Sequence, residues 1–300
     1  MRLVLAAAVG CLWVALCAQA PEGPSTKSAE KLTYTGTPLK LPFQCSNQDM
    51  DWAGMSCSEE EPCPVYLELA AVESVGNRIF VAGNIHSSAV TLYSVLLTSD
   101  DAGRTWSEPY DRIRGVELDH IQFIDFENGW VSGQTLVPIP QDPFLLITSD
   151  SGKTWRRRPV FGENRAGTIS QFWFTSRTSG SLLIDRSQSG DDSRYELYES
   201  MTGGESWMLR ETNDKPIRPK HVFIPNTDWR IHADAATKSF RVERRQGEKW
   251  NALASFLVPF AACKPVEPPA QPESEPQPQS SAPAPDTRAP IPGKRPAKKK

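Results

Sequence analysis

The chain has 300 residues, with 33 Lys and Arg against 36 Asp and Glu, a formal net charge of −3, and 26 prolines. The charge is unevenly spread: residues 21–263 hold 25 basic and 32 acidic side chains, a balance of −7. Such a surface argues against nucleic acid as the main partner, because phosphates select for basic faces.

Residues 1–20, "MRLVLAAAVGCLWVALCAQA", carry one early charge at Arg2, an uninterrupted apolar run and Ala18-Gln19-Ala20, the pattern of a secretory signal peptide. The mature protein is therefore expected outside the cytoplasm, periplasmic or extracellular. Two variants would keep it at a membrane: an uncleaved anchor, since Pro21 suits a cleavage site poorly, or lipidation at Cys11, which follows Ala8-Val9-Gly10. Residues 21–64 form a Cys-containing segment in which "KLTYTGTPLKLPFQ" at 31–44 is strand-like and interrupted by proline. Of six cysteines, Cys11 and Cys17 leave with the signal, and Cys45, Cys57, Cys63 and Cys263 remain. An even number in an exported chain reads as two disulfides, with three pairings open. No C-x-x-C pair occurs among these four, and His86, His120, His221 and His232 have no partners at ligand spacing, so no metal and no cofactor are expected.

Residues 65–263 repeat. The stretches "TSDDAGRTW" at 98–106 and "TSDSGKTW" at 148–155 align on their tryptophans with "SMTGGESW" at 200–207 and "RRQGEKW" at 244–250. Trp106, Trp155, Trp207 and Trp250 are spaced by 49, 52 and 43 residues, the size of a four-stranded propeller blade. Each interval repeats short β-rich runs separated by turn residues: "VELDHIQFID", "WVSGQTL", "FLLITSD" and "TWRRRPV" in the second unit, "KHVFIPN", "DWRIHADA", "SFRVERR" and "KWNALASFL" in the last. The sum is sixteen strands and no convincing amphipathic helix. The expected fold is all-β, a β-propeller of four-stranded antiparallel blades. Four are visible, with the early strand-like segment serving either to close the ring or as part of a fifth. Cys263 lies just past the last strand and Cys45 just past the early one, so Cys45–Cys263 with Cys57–Cys63 is the preferred pairing, stapling the seam of the ring. The last 37 residues, 264–300, contain 11 prolines and no aromatic residue, so they cannot bury enough apolar surface to fold. This tail ends in the basic run "KRPAKKK", which could meet an anionic surface or simply keep the end solvated.

The motif S-x-D-x-G-x-T-W, carried by Ser99, Asp101, Gly103, Thr105 and Trp106 and again by Thr148, Asp150, Gly152, Thr154 and Trp155, resembles the Asp-box (BNR) repeat of sialidase-type propellers. The third copy keeps Ser200, Gly204 and Trp207 but has Thr202 for the Asp, and the fourth keeps only Gly247 and Trp250. The chemistry favours a clasp: an Asp ahead of a Gly can accept N–H bonds across a tight hairpin, and a catalytic carboxylate would not decay so freely between copies. The longer pattern "IQFIDFENGWVSG" ahead of "LLITSDSGKTW" is similar to blades of the photosystem II stability/assembly factor family and its relatives in non-photosynthetic bacteria, over roughly residues 65–260. That resemblance implies an Asp-box hairpin lying away from the binding face, and an arginine-rich face that holds a membrane protein.

Sialidase chemistry needs an arginine triad, a tyrosine nucleophile assisted by a glutamate, and an acidic acid/base. The Phe-Arg-Ile-Pro motif of family sialidases does not precede the first Asp-box, and "PIRP" at 216–219 is out of order. The expected function is thus an exported, non-enzymatic propeller, assembly-factor- or scaffold-like, that binds a protein or peptide, membrane-associated or not; a sialidase-like glycoside hydrolase or carbohydrate-binding propeller is the alternative. Arg112, Arg114, Arg157, Arg158, Arg165, Arg186, Arg194, Arg210 and Arg218 are the candidate binding face, in loops opposite the Asp-box turns. Glu108, Asp111, Glu163, Asp191, Asp192, Glu211 and Asp214 share those loops, so the competing reading is a set of paired, solvated arginines.

Overall fold

The structure, a computed structural model, describes residues 30–189, 194–219 and 226–265. The expected signal peptide with Cys11 and Cys17, the tail beyond Pro265, and Asp191, Asp192 and His221 lie outside the described residues. The N-terminal segment holds two short strands, β1 (Leu32–Thr33) and β2 (Leu39–Lys40), and a helix, α1 (Asn47–Ala53). The helix corrects the sequence reading, which expected none; two turns are too short for apolar periodicity to show. Its ends are written locally instead. The Ser46 hydroxyl accepts from the Asp49 N–H at 3.1 Å while the Asp49 carboxylate accepts from the Ser46 N–H at 2.9 Å, and Gly54 ends the helix at φ +62°.

The first blade runs β3 (Val65–Val75), β4 (Arg78–Ser87), β5 (Thr91–Ser99) and then β6 (Thr105–Trp106), joined to β5 through the Thr98–Ser107 bridge. The second is β7 (Val116–Phe123), β8 (Gly129–Thr135), β9 (Gln141–Thr148) and β10 (Arg156–Pro159), and the third is β11 (Thr168–Phe174), β12 (Gly180–Asp185), β13 (Tyr195–Ser200) and β14 (Met208–Asn213). The fourth sheet contains β15 (Trp229–Asp234), β16 (Ser239–Gln246) and β17 (Lys249–Leu257). Within each blade consecutive strands pair antiparallel, giving the meander of a β-propeller. The strand expected at the start of the fourth unit, 220–226, lies outside the described residues except for Asn226.

The early strand-like segment is divided between two blades. β1 adds to β6 with Leu32 opposite Trp106, and β2 adds in parallel to β17 with Leu39 opposite Phe256. Two outer edges that would otherwise present unpaired N–H and C=O groups are thereby covered. Cys45 is bonded to Cys263 and Cys57 to Cys63, with Cα separations of 4.7 and 5.2 Å. The Cys63 N–H also donates to the Cys263 carbonyl at 2.9 Å, so all four cysteines gather where the first and fourth blades meet.

Propeller strands sandwiched between blades are apolar on both faces, and β4 follows that rule: Ile79 to Ile85 are all buried. Three apolar clusters join the blades, one between the fourth, the first and the N-terminal segment, one between the first and second, and one between the second and third. Aromatic pairs anchor each. Trp106 meets Phe256 edge-on at 5.0 Å, Phe80 stacks on Phe123 at 4.5 Å, and Trp130 stacks on Phe174 at 3.8 Å. Buried amides fix the register between blades. Asn84 of β4 accepts from the Leu118 N–H at 2.8 Å and donates to its carbonyl at 3.2 Å, and Gln122 of β7 makes the same two bonds to Phe174 at 2.7 and 2.9 Å. No helix among the described residues is long and apolar enough to cross a membrane.

Candidate functional site

The Asp-box turns define one face. Asp101 accepts from the Thr105 N–H at 2.8 Å, the Thr105 hydroxyl at 2.7 Å and the Ser99 hydroxyl at 3.0 Å, and Ser99 in turn accepts from the Gly103 N–H. Burial opposes ionisation of Asp101, but these donors outweigh it and hold the carboxyl at about 2. Asp150 repeats the arrangement with Thr154 and Thr148 and is likewise lowered against its burial. In the third copy the Thr202 hydroxyl accepts from the Ser206 N–H at 3.0 Å, so a neutral oxygen does part of the same work. Each of these three turns is tied to the first hairpin of its own blade: Ala102 to Asn77, Ser151 to Glu127 and Gly203 to Thr178. The Asn-Gly-Trp motif is also explained, because Asn128 donates to Asp125 in that hairpin while the Trp130 indole N–H crosses to the Gly203 carbonyl of the next blade at 2.9 Å.

The opposite face carries the β4–β5 and β8–β9 loops, the β12–β13 and β15–β16 connections and the crossings between blades. The candidate arginines divide over the molecule. Arg112, Arg114, Arg165, Arg186 and Arg194 lie on this face, whereas Arg157 and Arg158 lie in the outer strand β10 and Arg210 in β14, and Arg218 follows the third blade. Most are engaged internally. Arg112 pairs with Glu108 at 2.5 Å and donates to the Pro42 carbonyl at 2.9 Å. Arg114 pairs at 2.7 Å with Asp49, a buried carboxylate that also accepts from the Tyr93 hydroxyl at 2.6 Å, and this docks α1 on the first blade. Arg165 and Arg186 both reach Glu196, at 2.7 and 3.1 Å, and Arg165 donates to the Tyr198 hydroxyl at 2.8 Å. Burial, and then the Glu196 carboxylate, push Tyr198 up to about 12. Arg157 lies over the Phe144 ring at 4.0 Å, Arg158 pairs with Glu205 and Arg210 with Glu199.

Three cavities open in turn along β3. Val65, Tyr66 and Leu67 line the first, about 370 Å³, with Phe240, Val258 and Phe260. Tyr66 and Phe260 are 45% and 46% exposed, meet edge-on at 5.6 Å, and carry the Lys238 ammonium 4.5 Å above the Phe260 ring. Glu68 lines the second, about 450 Å³, with His86 and Thr91; His86 joins Glu68 at 2.8 Å and Thr91 at 3.0 Å. Leu69 to Glu73 line the third, about 520 Å³, with Asp119, His120 and Arg230.

Beside Asp119, which lines the third cavity, stands Glu117, and the sequence reading passed over this pair of β7. A strand's two-residue period puts both on one face. The Gln134 amide of β8 donates to Asp119 at 2.5 Å and to Glu117 at 3.5 Å. Burial, then the charge and hydrogen bond of Asp119, push Glu117 up to about 7, and burial raises Asp119 as well. The available signal was "VELDH" itself, since two like charges on one face of an inner strand need an explanation. Glycoside hydrolysis sets its two carboxyls about 5 Å or more apart, on either side of a sugar. In this chain the Gln134 amide nitrogen, not a sugar-sized gap, joins Glu117 and Asp119.

No protein-family model matches the chain, and no curated protein matches it. Among solved structures it is similar to YCF48 from Cyanidioschyzon merolae, at 18% identity over 64% of this chain and 57% of that one, with a TM-score of 0.35. It is similar to a structure described as YCF48 bound to D1 peptide, at 14% identity over 64% and 54% with a TM-score of 0.34, and to the phage phi92 endosialidase, at 9% over 74% and 51% with a TM-score of 0.36. The chain thus spans little more than half the length of each of these three.

Proposed function

We propose that this chain is an exported, non-enzymatic β-propeller that binds a protein or peptide, in the manner of an assembly factor or scaffold, through the face opposite its Asp-box turns. The observation that carries the reading is the groove at the junction of the first and fourth blades. It combines a volume of about 370 Å³ with two large aromatic side chains left nearly half exposed, whereas the pairs Trp106–Phe256, Phe80–Phe123 and Trp130–Phe174 are packed between blades. Exposed aromatics rimmed by polar groups are the usual anchors of a bound segment. The two disulfides fit an oxidising compartment. The Asp-box carboxylates are saturated within their own turns and offer nothing to a ligand.

The test is a peptide array probed with the disulfide-bonded chain. Tyr66→Ser combined with Phe260→Ser is expected to lower affinity by about tenfold or more, as loss of hot-spot aromatics does, while Asp101→Asn leaves it unchanged. Binding that survives the groove variant, or turnover of a sialoside by the purified protein, would overturn the proposal.

A further inference from the structure

We infer that the notch built by Glu117, Asp119 and Gln134 is a binding site for a cationic side chain, a lysine ammonium or an arginine guanidinium, carried by the segment that the neighbouring aromatic groove anchors. The inference rests on the binding function proposed above and adds the chemistry of the partner.

The first support is an orphaned acceptor. Gln134 is 3% exposed, and its amide nitrogen is spent on the two carboxylates, yet its carbonyl oxygen Oε1 is buried with no hydrogen-bond partner. A buried carbonyl left unmade costs about 1–3 kcal/mol, and folded proteins rarely leave one so. The group that would satisfy it must donate, and it must do so beside two carboxylates. An ammonium or guanidinium does both, with three or five N–H donors.

The second support is the contrast with the rest of the molecule. Asp49, Glu108, Glu196, Glu199, Glu205 and Glu243 each have an arginine within 2.8 Å. Among the described residues no arginine or lysine pairs with Glu117 or Asp119. The other titratable groups that face them are Glu68 from β3 and His86 from β4, which are already bonded to one another, and His120 of β7, whose burial lowers its pKa and so favours the neutral ring. The notch is therefore a carboxylate pair whose counter-cation the chain does not supply. A metal is the poorer occupant, because no group of three or more His, Cys, Asp or Glu among the described residues is arranged to hold one.

The third support is continuity. Tyr66 belongs to the aromatic groove, Glu68 to the second cavity and Ala70 to the third, all on the exposed side of β3. An extended segment lying along β3 with an apolar residue in the groove places a following basic side chain at the notch. The domain's net −7 would raise the local concentration of such a segment.

The experiment measures fluorescence anisotropy with three labelled octapeptides, alternating Leu-Lys, Leu-Ser and Leu-Glu, on the full chain with both disulfides formed. The Leu-Lys probe is expected to bind about tenfold tighter than Leu-Ser, and Glu117→Gln with Asp119→Asn is expected to remove that advantage, as truncating charge-assisted contacts does. The charge-matched variant Asp100→Asn with Glu248→Gln, on the Asp-box face, leaves it intact. Because the free carboxyl pair holds a proton that a cation displaces, affinity for Leu-Lys should also weaken as pH falls from about 8 to about 6. Equal losses in both variants would mean non-specific attraction and would overturn the inference, as would an unchanged affinity in the notch variant. Tight binding of Leu-Ser or Leu-Glu without preference for lysine overturns the inference while leaving the groove and the binding function standing. Binding of none of the three overturns it outright, and the peptide array then decides whether the groove binds at all.

Discussion

The two disulfides close loops of very different length, and that difference can be measured. Cys45 and Cys263 are separated by 218 residues and Cys57 and Cys63 by 6. In the chain-entropy account a cross-link restricts the unfolded chain by an amount that grows with the logarithm of the loop, about 5 kcal/mol for the long closure and about 2 kcal/mol for the short one. The native state adds to the contrast, because Cys45 and Cys263 are buried in the cluster that joins the first and fourth blades, whereas Cys57 and Cys63 lie at its margin. Replacing both members of each pair by alanine avoids stray thiols. For a domain of this size the loss of the long closure should lower the melting temperature by roughly 10–20 °C and that of the short one by less than half as much. Urea denaturation of the two double variants and the parent, without reductant, gives the free energies directly. If the Cys57/Cys63 variant is destabilised as much as the Cys45/Cys263 variant, the idea that the long bond staples the ring is wrong.

Gly152 holds φ +74°, and a Cβ added there would lie 2.3 Å from the Phe80 ring, so Gly152→Ala should cost about 2–5 kcal/mol in urea unfolding; Gly247→Ala, at φ +63° but facing open space, should cost only about 1–2 kcal/mol. Glu196 is 2% exposed and its carboxylate is reached by both Arg165 and Arg186, so Glu196→Gln should destabilise by about 1.5–3 kcal/mol through loss of those charge-assisted bonds. Arg165→Glu is then expected to lower the melting temperature before it alters any binding; a fully stable Arg165→Glu protein would place that arginine outside the framework. Glu117 has a folded pKa raised from 4.5 to about 7, with Asp119, His120, Gln134, Glu68 and His86 around it. The folded state therefore binds a proton that the unfolded state has released, and stability present below about pH 4.5 is lost as pH rises through 7. Glu117→Gln should flatten that decline and leave the variant more stable than the parent at about pH 8, as read by melting curves across the range; an unaltered pH profile would refute the assignment.

Much of the fold is legible because its determinants are local. The tryptophan period, the Asp-box hairpins and the alternating strands depend on residues within a few positions of one another, and the same bonds recur around Asp101 and Asp150. What escaped depends on distant partners or on very short elements. β1 and β2 are two residues each, and nothing in "LT" or "LK" names Trp106 or Phe256 as a neighbour. The arginines are visible in the sequence, but their state is set elsewhere: Arg114 by Asp49, 65 positions earlier, and Arg165 by Glu196, 31 positions later. A loop count of basic residues therefore overstates the charge available to a partner.

The same arithmetic of donors separates the two faces. Asp101 accepts from two hydroxyls and a backbone N–H, and Asp125 from two backbone N–H groups, an Asn amide and an Arg. Both are held below the usual carboxylate range against their burial, and both are finished structures. Glu117 and Asp119 share one amide, and burial pushes both upward. A carboxylate whose acceptor positions are already taken by its own turn has fewer left for a ligand, whereas one held back from ionising is also stabilised by a cation that displaces its proton. On that criterion the acidic groups we propose for recognition are not the conspicuous aspartates of the repeat. They are the two inconspicuous ones at the start of β7, on the face that the repeat leaves free.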